Sequence, residues 1–339
     1  MTSLAHHPVL ITGGAGYIGS HAMLALLDNG REAVVVDDLS TGRRGAVPAG
    51  VPFYEGKIAD NALIGRIIRE HGCRAVMHFA GSIVVPESVE KPLEYYQNNV
   101  AGSAALLRAC LDNGIERFVF SSTAAVYDGA GDKPVSEDGV LAPANPYGRS
   151  KLMTEWMLRD IAAATDLRVA VLRYFNVAGA DGAGRSGQYA KAATHLIKRA
   201  CQTVLGQHPR MDIFGDDYHT PDGTCMRDYI HVSDLAQAHL AVLDHIGERA
   251  EYVTMNCGYG HGYSVTQVLD VVDQVAGEML DAEPMRRRHG PRRAGDAASL
   301  VADTGRIRQI LNWQPKYDDL AVMAATALAW EKKLMDGLD

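Results

Sequence analysis

Tyr147 and Lys151, in the stretch 145–151 (NPYGRSK), have the spacing of an acid–base pair. Pro146 favours the start of a helix here, which places Tyr147 and Lys151 at i and i+4 on one face. A free phenol has a pKa of ~10, so a base at neutral pH requires a shift of ~3 units, or ~4 kcal/mol. An ammonium about 4 Å away supplies roughly that much at an effective dielectric constant of ~20. The spacing predicts an activated phenol, with an exposed aromatic–lysine contact as the alternative.

A glycine-rich turn near the N-terminus predicts a dinucleotide site. The short apolar run 8–12 is followed at once by glycines at 13, 14, 16 and 19. This order of strand, glycines and helix lets backbone N–H groups bind a pyrophosphate. Asp37 ends the next apolar run, 18 residues after Gly19. A carboxylate there accepts the ribose hydroxyls and repels a 2′-phosphate, so NAD is predicted rather than NADP.

The rest of the chain alternates strand and helix patterns. Apolar runs near 33–36, 51–54, 74–80, 117–123 and 169–174 are separated by helical patterns near 17–29, 60–72, 92–112 and 147–164. We therefore predict an α/β fold with a doubly wound parallel (Rossmann) sheet, followed by a smaller C-terminal α/β substrate domain. The predicted boundaries are 1–176 for the NAD-binding domain and 177–339 for the second domain. The segment around 228–256 is expected to pack back on the first domain, and a helix is expected over 189–205.

The composition of the chain limits the classes of partner that the protein is expected to bind. The net charge of −8 over 339 residues argues against nucleic-acid binding. The basic run 286–288 with 292–293 is either a phosphate-holding arm or a solvated surface. The five cysteines form no Cys-x-x-Cys pair, so no metal site is predicted and reduced thiols in a cytoplasmic protein are expected. No run of 18 apolar residues occurs, so no membrane partner is expected.

Several motifs carry a family resemblance. The block 12–19 (TGGAGYIG), with Tyr147-x-x-x-Lys151, resembles the extended short-chain dehydrogenase/reductase family. The blocks 78–81, 92–99, 121–127, 173–176, 213–215 and 227–232 are similar to those of the UDP-glucose 4-epimerases within that family. The resemblance implies an NAD-dependent isomerase that interconverts UDP-galactose and UDP-glucose. It would do so by transient oxidation at C4 and non-stereospecific return of hydride. It also implies a homodimer formed through the helices near 92–112 and 147–164.

The resemblance assigns roles to individual residues. Tyr147 would be the base, Lys151 would lower its pKa and hold the nicotinamide ribose, and Thr123 would hydrogen-bond the reacting hydroxyl. Besides Tyr147 and Lys151, the implied NAD-binding residues are Gly13, Gly16, Tyr17, Ile18, Gly19, Asp37, Asp38, Ile58, Phe79, Ala80, Gly81, Asn98, Ser121 and Tyr174. Besides Thr123, the implied UDP-sugar-binding residues are Asn176, His195, Leu196, Phe214, Arg227, Arg293, Asp296 and Leu300.

Five positions depart from the pattern of the family. Thr123 replaces the usual serine, Lys57 an aspartate, Ile83 a lysine, His195 an asparagine and Leu300 a tyrosine of the sugar pocket. A threonine hydroxyl donates as well as that of serine, and histidine can still donate to phosphate. The smaller Leu300 leads to the hypothesis that the pocket has room for an N-acetyl group.

Other activities remain as alternatives. They are 4-epimerisation of UDP-N-acetylhexosamines or UDP-pentoses, nucleotide-sugar 4,6-dehydration, and NAD binding without catalysis. The dehydratase reaction is disfavoured because it needs an acid and a base after Thr123, where this chain has Ala124 and Ala125. Non-catalytic NAD binding is disfavoured because the tyrosine and lysine are both retained.

Overall fold

The computed structural model describes residues 7–127, 133–190, 194–248, 252–293 and 296–337. Its strands are β1 (Val9–Thr12), β2 (Ala33–Asp37), β3 (Phe53–Glu55), β4 (Ala75–His78), β5 (Arg117–Ser121), β6 (Arg168–Tyr174), β7 (Asn176–Ala178), β8 (Met211–Phe214), β9 (Met226–Arg227), β10 (Tyr229–His231), β11 (Tyr252–Cys257), β12 (Tyr263–Ser264), β13 (Arg287–Gly290) and β14 (Ser299–Leu300). Its helices are α1 (Tyr17–Asp28), α2 (Asn61–His71), α3 (Val85–Glu90), α4 (Pro92–Tyr95), α5 (Gly102–Asp112), α6 (Pro146–Ala164), α7 (Leu196–Val204), α8 (Val232–Glu248), α9 (Val265–Leu280), α10 (Gly305–Leu311) and α11 (Leu320–Met335).

A seven-stranded parallel sheet lies at the centre, in the order β11-β6-β5-β4-β1-β2-β3. The strand order reverses between β1 and β4, and ligands of such sheets bind at the carboxyl ends of the strands near that reversal. The inner strands are buried on both faces because helices cover both sides. The predicted doubly wound parallel sheet is thus confirmed.

The strand β11 and helix α8 come from beyond residue 176 but lie with the central sheet. β11 pairs with β6 along its whole length, from Tyr252 beside Val169 to Cys257 beside Tyr174. The apolar face of α8 packs against α1. Burial of these apolar surfaces stabilises the return of the chain to the first part of the molecule.

The remaining strands form small sheets beside the carboxyl ends of the central one. β7 pairs with β10, β8 with β13, and β9 lies between β12 and β14. These strands are two to four residues long, so the sequence carries too little alternation to predict them.

Several helix boundaries follow from local chemistry. Asp60 caps α2 by accepting the N–H of Leu63 at 3.0 Å, as predicted. The predicted Ser264–Gln267 capping box is also present, with both reciprocal hydrogen bonds.

Two helix predictions need correction. The helix expected from 92 to 112 is continuous but contains a π-helical segment, Tyr96–Ala101, between α4 and α5. The sequence predicts a helix from residue 189. Among the described residues this helix begins at Leu196, and residues 191–193 lie outside the described part. His195 is extended and precedes the first turn.

In the part of the chain that the structure describes, no helix is long and apolar enough to cross a membrane. The same residues contain no cluster of three or more His, Cys, Asp or Glu placed to hold a metal ion. All five cysteines are buried and free.

Candidate active site

The glycine loop joins β1 directly to α1. A Cβ on Gly19 would lie 2.2 Å from the carbonyl oxygen of Gly13, and one on Gly13 would lie 2.6 Å from the backbone nitrogen of Ala80. Both glycines are therefore required for the loop to pack between α1 and the end of β4. The first turn of α1 contains no acidic residue, and Gly16 caps it without a side chain. Its backbone N–H groups are thus a donor set that fits an anion such as a pyrophosphate.

Asp37 ends β2 beside this loop. Its carboxylate accepts the N–H of Ala15 at 3.0 Å and that of Leu39 at 2.8 Å. Burial raises the pKa of Asp37, against the effect of these two hydrogen bonds. Asp38, by contrast, is exposed and accepts from Ser40. The structure therefore places the predicted ribose-binding carboxylate, Asp37, at the loop and directs Asp38 into a local turn.

The catalytic candidates meet at the carboxyl ends of β5 and β6. Tyr147 lies in the first turn of α6, which Asn145 caps through the N–H of Gly148 at 2.9 Å. Burial raises the pKa of Tyr147, the neighbouring Tyr174 raises it further, and a hydrogen bond with Thr123 lowers it. Thr123 also caps the short turn after β5 by accepting the N–H of Ala125.

Lys151 lies one turn further along α6 and is only 3% exposed. Its Nζ donates to the Ser121 carbonyl at 2.9 Å and lies 4.8 Å from the centre of the Phe120 ring. Burial lowers the pKa of Lys151 to about 8, and the charge of Glu155 partly opposes this.

The expected activation of Tyr147 by Lys151 is not what the protein groups alone produce. The pKa of Tyr147 is above the ordinary value of 10, because the cost of burying its charged form exceeds the stabilisation from the hydrogen bond with Thr123. Lys151 is engaged by β5 instead, through Ser121 and Phe120. Tyr147 and Lys151 lie one turn apart on α6, as the spacing predicts, and burial keeps the pKa of the phenol raised.

Residues 79–82, which follow β4, form another side of the candidate site. Phe79 and Ala80 are partly buried, with the Phe79 ring centre 4.8 Å from that of His239. Asn98 is exposed and donates to the Ser82 hydroxyl. The buried neighbour Asn99 instead accepts the N–H of Ser82, as the π-helical segment turns its amide inward.

Asn99 also reaches the catalytic helix. Its amide nitrogen donates to the Ser82 carbonyl at 3.0 Å and to the Ser150 hydroxyl at 2.9 Å. A Cβ on Gly81 would lie 3.0 Å from the Asn99 oxygen. Asn99 therefore fixes the loop 81–82 against α6, between Tyr147 and Lys151. No local pattern distinguishes Asn99 from Asn98, because the sequence predicts a regular helix over these residues.

The remaining cofactor candidates differ in burial. Ile58 is 8% exposed and packs in the core beside α5, where a Cβ on Gly102 would lie 3.3 Å from its side chain. Tyr17 donates its hydroxyl to the Gly179 carbonyl at 2.6 Å, and Ile18 is partly buried against the core. Lys57 and Ile83, two departures from the pattern of the family, are exposed.

Five of the predicted substrate residues lie on the small sheets or in the connection between β13 and β14. Arg227 donates to Asp296 at 3.3 Å and to the Ala297 carbonyl at 2.9 Å. Leu300 is the register partner of Arg227 across β14 and β9. The Arg293 guanidinium lies 3.9 Å from the centre of the Phe214 ring. The sequence predicts the basic run as either a phosphate-holding arm or a solvated surface, and Arg293 of that run belongs to this group of five residues.

The other three, Asn176, His195 and Leu196, lie at a neighbouring cavity. It is lined by these three together with Tyr17, Gly179, Lys198 and Trp330, among others. Asn176 begins β7 directly after Phe175, and its N–H donates to the Asp228 carbonyl at 3.0 Å. The arrangement places an amide, an imidazole and the N-terminus of α7 next to the glycine loop, which suits a second anionic ligand.

A profile of the NAD-dependent epimerase/dehydratase family matches residues 9–258. The chain belongs to this family. Members of the NAD-dependent epimerase/dehydratase family similar to it include the UDP-glucose 4-epimerase of Azospirillum brasilense. The two are 57% identical over 326 residues, covering 96% of this chain and 92% of that protein.

Two solved structures are similar over nearly the whole chain. One is a UDP-glucose 4-epimerase from Stenotrophomonas maltophila with bound NAD and formylated UDP-arabinopyranose. It has a TM-score of 0.93 and 37% identity, over 98% of this chain and 99% of that one. The other is the UDP-Glc/GlcNAc 4-epimerase from Campylobacter jejuni, with a TM-score of 0.84 and 43% identity, over 96% and 99%.

Proposed function

We propose that this chain is a UDP-glucose 4-epimerase that interconverts UDP-galactose and UDP-glucose with tightly bound NAD. The observation that carries this proposal is the meeting of Tyr147 and Thr123 at the sheet edge beside the glycine loop and Asp37. The donor set of the loop and the carboxylate of Asp37 fit NAD. When bound there, NAD supplies reversible two-electron oxidation of the sugar at C4 and one positive charge.

Within this proposal Tyr147 carries a proton between the sugar O4 and its surroundings. Its buried phenol needs cationic stabilisation to ionise near neutral pH, since burial opposes the charged form. Lys151 contributes one positive charge while it stays protonated below its pKa of about 8. Thr123 donates to the reacting oxygens and holds them within reach of the phenol.

The small sheets would bind the nucleotide. Arg227 and Arg293 are cations at the entrance of the site, and Phe214 is an aromatic surface for a base. Asn176 and His195, which line one cavity, would donate to the diphosphate. Firm attachment of UDP combined with few sugar contacts allows the 4-keto sugar to turn over, which inversion at C4 requires. NAD is regenerated in each cycle and is therefore not consumed.

A second candidate activity is 4-epimerisation of UDP-N-acetylhexosamines. Leu300 packs with the apolar cluster that contains Ala124 and Leu152, next to Thr123 and Lys151. If Leu300 holds the position that the resemblance implies, its short aliphatic side chain would leave more room in the sugar pocket than a tyrosine. The similar enzyme from Campylobacter jejuni is described as acting on both UDP-Glc and UDP-GlcNAc.

The test is a coupled epimerisation assay with UDP-galactose, UDP-N-acetylgalactosamine and UDP-arabinose side by side. We expect turnover of UDP-galactose, and comparable turnover of the N-acetyl sugar if Leu300 leaves the room proposed. Faster turnover of UDP-arabinose than of the other two would show that the protein is chiefly a UDP-pentose 4-epimerase. No turnover of any of the three sugars would refute the proposal.

Tyr147→Phe is the matched variant. It removes the phenolic oxygen only, so bound NAD is retained while turnover falls by about 10²- to 10⁴-fold. Trapped NADH absorbance at equilibrium with a UDP-sugar would further separate an epimerase from a protein that only binds NAD. Near-normal turnover by Tyr147→Phe would exclude Tyr147 as the base.

We also propose a homodimer, formed through the two helical regions that the sequence predicts but through their exposed side chains. Leu106, Leu107 and Leu158 are at most 1% exposed and belong to the core of the subunit. On α4 and α6, Leu93 is 79% and Trp156 is 49% exposed. A seam built on these exposed apolar side chains would bury them against a second copy. A monomer mass of 36.6 kDa in solution at micromolar concentration would contradict it.

We further propose that the protein works in the cytoplasm, where its buried free cysteines would stay reduced. Within the chain, residues 1–176 would bind NAD and residues 177–339 the UDP-sugar, with about 228–256 serving the first part. The contacts of β11 with β6 support that last assignment.

A further inference from the structure

A fully buried ion pair lies behind the catalytic side chains. Glu155 of α6 and Arg173 of β6 are each 1% exposed, and their shortest contact is 2.6 Å. Arg173 Nε donates to both carboxylate oxygens of Glu155 at 3.1 Å. Such pairs are weak evidence for stability, because desolvation of two charges offsets most of their attraction. Its position next to the site suggests another role.

The pair is anchored by three further residues. Arg173 Nη1 donates to the Tyr127 hydroxyl at 3.0 Å and to the Glu137 carbonyl at 3.1 Å. The Tyr127 hydroxyl donates to Asn256 of β11 at 2.6 Å, and the Asn256 N–H donates to the Glu137 carboxylate at 2.7 Å. Glu155 is therefore held in one orientation by a network spanning α6, β6 and β11.

The free side of this network faces the catalytic turn. The Ser122 hydroxyl donates to Glu155 Oε1 at 2.5 Å, and both residues are buried. Ser122 directly precedes Thr123, and its N–H is fixed by the Leu172 carbonyl at 2.8 Å. Glu155 also lies on the same face of α6 as Tyr147 and Lys151, two turns beyond the former.

We propose that Ser122 and Glu155 are positioning residues, which hold the Thr123 hydroxyl against the phenol of Tyr147. The inference rests on the proposed epimerase function. Glu155 is attached to the helix that carries the phenol, and Ser122 to the strand end that carries Thr123. The hydrogen bond between them fixes the distance between those two elements. Charge on Glu155 makes that hydrogen bond stronger than a neutral one.

Ser122→Ala is the test because it removes one oxygen and leaves the ion pair with Arg173 intact. A looser Thr123 would stabilise the ionised phenol less, so the pH at which kcat rises should move up by about one unit. Below that rise kcat should fall about tenfold, since one pKa unit is a factor of ten. KM for the UDP-sugar should stay within about twofold, because Ser122 is remote from the nucleotide groups on the small sheets.

This variant leaves unchanged Tyr174 of β6 and Tyr95 of α4, whose charges raise the pKa of Tyr147, and also Lys151, one turn further along α6. Ser186→Ala is the control, since Ser186 is also fully buried and its hydroxyl bonds to that of Ser20 at 2.7 Å. It should leave the pH profile unmoved at a similar melting temperature.

A second readout does not depend on turnover. The tyrosinate absorbance of the NAD-loaded protein near 295 nm, taken against its Tyr147→Phe counterpart, reports ionisation of this phenol. Ser122→Ala should raise the pH of that transition, and Ser186→Ala should not. An unmoved transition together with an unmoved pH profile overturns the inference. An inactive wild-type protein would instead refute the proposed function, and the spectroscopic titration would still decide the role of Ser122.

Discussion

Replacement of Thr123 by valine tests whether its hydroxyl supports the ionised phenol. Thr123 is only 8% exposed, and its hydroxyl forms a hydrogen bond with Tyr147. Valine keeps the shape of threonine and removes this hydroxyl. A hydrogen bond to a charged group contributes about 1.5–3 kcal/mol. At 1.36 kcal/mol per unit, its loss should raise the pKa of Tyr147 by about 1–2 units.

The sign of the effect on the pH profile follows from the role of the base. Tyr147 acts in its deprotonated form, so a higher pKa moves the rise of kcat to higher pH by the same about 1–2 units. At a fixed pH below the rise, kcat should be about 10- to 100-fold lower than in the wild type. The hydroxyl also accepts the N–H of Ala125, so a stability loss of about 1 kcal/mol is expected as well.

The assay is initial-rate epimerisation of UDP-galactose from about pH 5 to 10, with a thermal melt at each pH. Thr123→Ser is the control, because it retains the hydroxyl and loses only the methyl group. We expect its kcat to stay within about threefold of the wild type. An unmoved pH profile for Thr123→Val would refute the reasoning. Equal damage by both variants would show that packing of the methyl group, rather than the hydroxyl, is what matters.

Three further changes test other parts of the site. Asp37→Asn should lower the preference for NAD over NADP at least about tenfold, because it removes the charge that repels a 2′-phosphate; titration of the apoprotein with both nucleotides measures this, and an unchanged ratio would exclude Asp37 as the discriminating group. Leu300→Tyr should reduce turnover of UDP-N-acetylgalactosamine more than tenfold relative to UDP-galactose, and an equal loss for both substrates would reject the pocket-size hypothesis. Arg173→Met should lower the free energy of unfolding by about 3–5 kcal/mol because Glu155 is left buried and unpaired. The double variant with Glu155→Leu should recover most of that loss in denaturant titrations, and no recovery would argue against an uncompensated charge as the cause.

Sequence patterns were sufficient to predict the central parallel sheet and the glycine loop of this protein. Buried parallel strands read as continuous apolar runs, and a strand followed by glycines and a helix has few other structural solutions. Those features depend on residues close together in the chain, so they placed the loop at Gly13, Asp37 and the face shared by Tyr147 and Lys151. The family resemblance supplied the predicted substrate residues. Five of them lie on or beside the small sheets, and Asn176, His195 and Leu196 line a neighbouring cavity.

Only tertiary packing decided the electrostatics. The pKa of Tyr147 lies above its ordinary value because the site is buried, a quantity that helical spacing does not contain. Packing also buried Leu106 in the core of the subunit and turned Asn99 inward through a π-helical segment. The contact of Ser122 with Glu155 joins residues 33 positions apart, and no local pattern marks it. The sequence thus determined which groups are available for chemistry. Burial and long-range contacts determined how strongly each is held and in which protonation state, because both depend on the atoms that surround a side chain in space.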